Sequence, residues 1–172
     1  MNGFEISQTV VCVIAQVLIQ IMVELFLLHR PIKPPKLKLF GGKETSQHLL
    51  DWFSLCHVVH GLIFYWITGS FVIAAIIEVS WEIAENTPLI IDRYRRTSEA
   101  SYSGDTIVNS VSDVVCMLIG FTVAWVIPAW GTAGLVVGLE LLCLWAIRNN
   151  LTLDILMLIH PFGCIKRWQY KA

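Results

Sequence analysis

Residues 78–85 read EVSWEIAE, and Glu78, Glu82 and Glu85 fall at i, i+4 and i+7, the spacing that lines side chains along one helix face. Upstream, DWFSLCHVVHG carries Asp51 with His57 and His60, two histidines three apart and so neighbours on one face. Downstream, SGDTIVNSVSD sets Asp105, Asn109 and Asp113 at i, i+4 and i+8, a second acidic stripe. Imidazoles and carboxylates gathered at low dielectric suit a divalent metal, because the cation offsets the cost of burying several like charges. Zinc, iron and manganese accept such nitrogen and oxygen ligands. The expected ligands are His57, His60, Glu82 and Asp113, with Glu85 as general base; Asp51, Glu78, Asp105 and Asn109 complete the polar centre. Two other readings stay open: a network of protonated carboxyls holding helices together, and a proton or ion pathway. Neither HxxH nor ExxxE is specific alone; two histidines beside two acidic stripes favour metal.

The elements that must position these residues follow from the solvent. Of 172 residues, 56% are hydrophobic and 15% charged, with a mean hydropathy of +0.67. A soluble domain carries about a quarter charged residues, so this is the composition of a membrane protein. Apolar windows of the length that crosses a bilayer run over about 7–28, 49–68, 70–90, 106–127 and 130–147. The expected fold is therefore all-α, a single membrane domain of five transmembrane helices, with a C-terminal interfacial helix over about 151–160. The first window lacks a basic leader and a small-residue cleavage site, and reads as a retained span. Cys12, Cys56, Cys116, Cys143 and Cys164 are scattered singly, which predicts free thiols rather than a disulfide framework.

Charge placement sets the orientation. Arg30, Lys33, Lys36, Lys38 and Lys43 follow the first window, Arg93, Arg95 and Arg96 the third, and Arg148, Lys166, Arg167 and Lys171 the fifth. The N-terminus and the turns at Gly69 and at Pro128 to Gly131 have no Lys or Arg, so the N-terminus is expected outside and the C-terminus inside. The basic, proline-rich loop RPIKPPKLKLFGG is expected to lie extended near headgroups, with Trp168 and Tyr170 anchoring the tail. Trp52, Phe64, Tyr65, Trp66, Trp81, Trp125, Trp130 and Trp145 read as packing or interface-belt residues, and His160 as a cap.

A carboxylate at mid-bilayer costs at least ~2.5 kcal/mol, so the stripes must face the bundle interior. At a rise of about 1.5 Å per residue, His57, His60, Glu78, Glu82 and Asp113 converge in the inner half of the membrane. Glu140 reaches similar depth and is a candidate to join them, whereas Glu24 is expected to reach the headgroups.

Taken in order, SQHLLDWFSLCHVVHGLIFY, EVSWEIAENTPLIIDRYR, GDTIVNSVSDVVCMLIGF and LWAIRNNLTLDILMLIHP resemble the DUF2585 family, also called UPF0314, of alphaproteobacterial membrane proteins. The similarity runs from about Lys38 to Trp168; more distantly, the pattern resembles VanZ-like membrane proteins. The family is itself of unknown function. The resemblance implies that His48 and Asn86 belong with the residues above, as do Arg93 and Arg95. Family members tend to carry cysteines in the loop before this region, where RPIKPPKLKLF has none. The resemblance leaves two homes open, a bacterial inner membrane and a mitochondrial inner membrane.

Two functions compete. One is a metal-dependent enzyme acting on a lipid-linked substrate, with Arg93, Arg95 and Arg96 holding a phosphate headgroup. The other is a non-catalytic accessory or scaffold subunit of a larger membrane complex, such as a respiratory one. For this, Gly131, Gly134 and Gly138 offer a close-packing face, which internal packing explains equally well. The expected partners are lipids and other transmembrane subunits, and no nucleic acid.

Overall fold

The computed structural model describes residues 3–30, 46–97 and 102–169; Lys33, Lys36, Lys38 and Lys43 of the basic loop, and Tyr170 and Lys171, lie outside them. Its described residues are helical: α1 Gly3–Phe26, α2 Ser54–Thr68, α3 Phe71–Glu85, α4 Pro88–Thr97, α5 Ile107–Val126, α6 Ala129–Ile147, α7 Leu151–Ile159 and α8 Gly163–Gln169. Three helical stretches are long and apolar enough to cross a membrane, Ile6–Phe26, Ile107–Val126 and Ala129–Ile147; Ser54–Thr68 is a shorter apolar helix.

The second and third windows yield shorter helices than their hydropathy predicts, and local chemistry explains both. Asp51 Oδ1 accepts from the backbone N–H groups of Phe53 (2.8 Å) and Ser54 (3.2 Å), which fixes the turn that opens α2. At the other boundary, the Asn86 side chain folds back to donate to the Glu82 carbonyl at 2.9 Å, and Pro88 opens a new helix. Proline disfavours helical geometry at the residue before it and suits the first helical position, so the window 70–90 breaks into α3 and the start of α4.

The bundle is organised on α5. Its apolar window is 61% buried, against 11% for both α1 and α6, whose outward faces carry residues such as Leu18, Leu141 and Trp145. All-round apolar helices with so little burial need lipid around them. Trp66, Trp125 and Trp130 are exposed near the α2–α3 and α5–α6 turns, the position of an aromatic belt. The described Arg and Lys residues gather at the opposite end, where α1, α3 and α6 finish.

The tightest contact is between α2 and α5, and two glycines permit it. A Cβ on Gly61 would lie 1.9 Å from the Met117 carbonyl oxygen, and one on Gly120 would lie 2.1 Å from the Val58 carbonyl oxygen. Beyond this crossing, Tyr65 and Phe71 meet Phe121 edge-on with centroids 5.3 and 5.0 Å apart. By contrast, among the described residues no atom of another element comes within 4 Å of a Cβ built on Gly134 or Gly138, so helix packing within the described residues does not account for these two glycines.

Gly61→Ala and Gly120→Ala should each lower stability by about 1–3 kcal/mol or more, since the obstructing atoms are backbone and cannot swing aside. The Gly134→Ala change should be neutral. Thermal unfolding of the detergent-purified protein distinguishes the sites.

Candidate metal centre

Ser54 and His57 stand one turn apart near the start of α2, and Asp113 on α5 lies beside them because the glycine crossing brings the two helices together. Glu78 and Glu82 come in from α3, one turn apart on the same face. Around the His57 ring the distances are short: Nδ1 lies 2.5 Å from Glu78 Oε1 and 3.3 Å from Glu82 Oε1, and Nε2 lies 3.9 Å from Asp113 Oδ2. His60 Nδ1 approaches the second oxygen of Glu78 at 3.0 Å, while its ring stacks on Phe64 and meets His57 edge-on. Glu78, Glu82 and Asp113 are all buried, with exposures of 0%, 1% and 3%.

One imidazole therefore touches carboxylates from two helices. Three carboxylates and two imidazoles are short of positive charge, and the medium cannot supply it. Hydrogen bonds support part of the set. Ser54 Oγ donates to Asp113 Oδ1 at 2.7 Å and accepts from the Asp51 backbone N–H at 3.1 Å. Glu82 has no such support: both of its oxygens are buried without a hydrogen-bond partner among the described residues.

Two overlapping trios present ligand atoms within 4.8 Å of one another, His57 with His60 and Glu78, and His57 with Glu82 and Asp113. The four expected ligands divide between these trios, His57 being common to both, and Glu78, expected among the surrounding polar residues, completes the first. The second trio holds the unsupported carboxylate: Glu82 lies with Glu78 on the Nδ1 side of the His57 ring, and Asp113 lies on the Nε2 side.

A second polar layer lies toward the end where α3 finishes. Asn86 donates to Asp105 Oδ2 (3.3 Å) and Ser110 Oγ (3.2 Å), and its own Oδ1 accepts from the Asp105 backbone N–H at 2.7 Å. Asn109 donates to the His48 carbonyl at 3.0 Å. Tyr102, in the turn before α5, donates to Asp105 (3.0 Å) and Glu85 (3.4 Å). Burial, with the Asp105 and Glu85 carboxylates beside it, raises the Tyr102 phenol well above its ordinary range, so it remains a donor. Glu85 thus belongs to this layer and lies outside both trios.

Other expected residues are placed elsewhere. Glu140 accepts from the backbone N–H groups of Leu151 (3.0 Å) and Thr152 (3.1 Å), capping α7 rather than joining the centre. Glu24 is fully buried and takes a 2.9 Å hydrogen bond from Gln20, so it does not reach the headgroups. Arg93 donates to the Leu158 and Ile159 carbonyls, both at 2.9 Å, and so closes the end of α7. Arg95 donates to the Tyr102 carbonyl at 2.7 Å and pairs with Asp92. Ser54, Tyr102, Gln20 and the glycine pair were missed. Isolated glycines within two apolar windows were the available signal for the last.

These features define a helical membrane protein with a buried histidine–carboxylate centre. A family model described as a protein of unknown function, DUF2585, matches residues 36–171, and the chain belongs to that family. It is 42% identical to a UPF0314 protein of Sphingopyxis alaskensis, over 98% of this chain and 95% of the relative. A UPF0314 protein of Brucella anthropi is 46% identical over 77% of this chain and 75% of its own length. A third, from Paracoccus denitrificans, is 42% identical over 77% and 76%. No solved structure matches.

Asn86→Leu should destabilise the protein by about 1–3 kcal/mol, because it leaves the buried Asp105 N–H and the Ser110 hydroxyl without partners. Tyr102→Phe, which removes one donor at the edge of the layer, should cost about 1 kcal/mol. Unfolding midpoints of the two variants in detergent test the ranking.

Proposed function

We propose that this chain is a metal-dependent membrane enzyme acting on a lipid-linked substrate, its divalent ion held by His57, Glu82 and Asp113. The observation that carries this reading is Glu82, a carboxylate in the bundle interior with neither oxygen hydrogen-bonded among the described residues and with two ligand atoms nearby. Zinc, iron and manganese suit the donor set. A divalent ion so bound lowers the pKa of its water to about 7 and thereby supplies a nucleophile at neutral pH.

The protein's own groups divide the remaining work. Glu78 orients His57 through Nδ1 and is itself held by His60, and Ser54 orients Asp113. On this reading Glu85, one turn nearer the end of the bundle and linked to Tyr102, accepts a proton leaving the centre. Arg93 and Arg95 donate to carbonyls, and Arg96, exposed like Arg95 and with no side-chain bond among the described residues, is the arginine of the trio assigned to a phosphate headgroup. The orientation that goes with this reading has five spans, the N-terminus outside, the basic end inside and α7 along the interface of an inner membrane.

A second reading has its own support. The bonds of Ser54 to Asp113, Asn86 to Asp105 and Ser110, and Asn109 to His48 tie α2, α3 and α5 together without any ion. On that reading the chain is an accessory subunit, and the bare faces of α1 and α6 meet other transmembrane helices.

Elemental mass spectrometry separates them. The purified protein should carry close to one divalent metal per chain, and His57→Ala/Glu82→Gln should carry none. Chelation should lower the wild-type unfolding midpoint, because an ion at 100 times its Kd contributes about 2.7 kcal/mol, and leave the double variant unchanged. Metal absent from the wild type refutes the enzyme reading and directs attention to copurifying subunits.

A further inference from the structure

Among the described residues, seven buried side-chain polar atoms lack a hydrogen-bond partner, and five of them are acceptor oxygens on two helices. Two belong to Glu82. The other three are Gln16 Oε1, Gln20 Oε1 and Glu24 Oε2, a stripe at i, i+4 and i+8 along α1, which packs chiefly on α3.

The two sets lie at matching heights. Val13 of α1 packs on the cluster that contains Ala74 and Ala75 of α3, and both helices run toward the end at which Arg30 and Asn86 meet Asp105. Counting from Val13 and Ala75 along parallel helices of equal rise, Gln16 stands level with Glu78, Gln20 with Glu82, and Glu24 with Asn86. Gln20 and Glu24 are fully buried, and the Gln20 amide is oriented by its 2.9 Å bond to Glu24. These buried acceptor oxygens are reached by no donor among the described residues, and a small molecule that donates would satisfy them. Successive positions on the stripe are about 6 Å apart along the axis, a separation that a short file of hydrogen-bonded waters spans. At the end of the stripe, the Arg30 guanidinium donates to the Ser103 carbonyl at 2.8 Å and to that of Asp105. It lies over Gly104, where a Cβ would be 2.5 Å from Nη1.

We propose that the seam between α1 and α3 is a water path, entered beside Arg30 and lined by Gln16, Gln20 and Glu24, that delivers water to Glu82 and exchanges protons with it. As the supply of a hydrolytic water, it rests on the metal-centre reading; as a hydrated path, it can be tested without metal.

The test is alkylation of Gln20→Cys and Gln16→Cys in sealed membranes by a water-soluble, membrane-impermeant maleimide added to either side, with the modified residue located by peptide mass spectrometry. Cys164, exposed on α8, is a built-in reactive reference, and Leu18→Cys, on the outward face of α1, reports a thiol in lipid. The Gln20→Cys thiol should react at least about tenfold faster than the Leu18→Cys thiol, since only a hydrated thiolate is the nucleophile, and only from the side that labels Cys164. If Gln20→Cys fails to accumulate, Gln16→Cys decides by the same criterion. A thiol as inert as the one at position 18, or one labelled only from the opposite side, overturns the proposal. Metal content measured on the same membranes reports independently on the centre, so a hydrated seam without metal refutes the enzyme reading alone, and metal with an inert seam refutes the path alone.

Discussion

A carboxyl group inside an apolar bundle must be met by a polar partner within a few ångströms, and the packing of α2, α3 and α5 meets that demand around Glu78, Glu82 and Asp113. His57 is the group that answers all three, and it can do so only because α2 and α5 are in backbone contact. The glycines at 61 and 120 are thus as much part of the centre as its ligands. Without them Asp113 would stand farther from the imidazole, and Ser54 farther from Asp113.

Around this core the polar side chains sort by depth. The deeper layer holds acids with histidines; the shallower one holds Asp105 and Glu85 with neutral donors, Asn86, Ser110 and Tyr102. The difference suits their surroundings. Neutral donors fix geometry near the end of the bundle, where Arg30 and Arg95 contribute charge, whereas the deeper acids have imidazole and, for Asp113, the Ser54 hydroxyl. The cationic side chains nearby are spent on carbonyls: Arg93 finishes α7, and Lys166 donates to the Arg96 carbonyl at 2.6 Å. A positive end that satisfies topology also staples the short helices to the bundle.

The all-helical fold, the family and the existence of a buried histidine–carboxylate group were legible in the sequence because each rests on a period or an ordered set of motifs. Helical spacing placed Glu78 and Glu82 together, and rise per residue placed them level with His57. Spacing could not separate Glu85, which shares their face yet lies one turn lower, within reach of a tyrosine from a loop. Nor could it foresee Glu140, whose partners exist only because Arg148 adopts a left-handed conformation (φ 55°) and turns the start of α7 back onto α6. Distance from the helix end alone points Glu24 to the headgroups, but Gln16 and Gln20, on the same face above it, mark that side of α1 as interior. Small residues on α6 drew attention because they repeat, while the pair that matters sits singly on two other helices.

The shortness of α2 and α3 has a consequence for the lipid. At 15 residues each they span about 22 Å, well under the ~30 Å of a typical hydrocarbon layer and under the 20 residues of α5. Lipid meets a short helix by thinning against it at a modest cost per ångström. A bilayer in contact with α2 and α3 must therefore either thin against them or admit the polar segments that flank them, and either way water and headgroups come closer to the histidine–carboxylate layer than they would beside helices of full length.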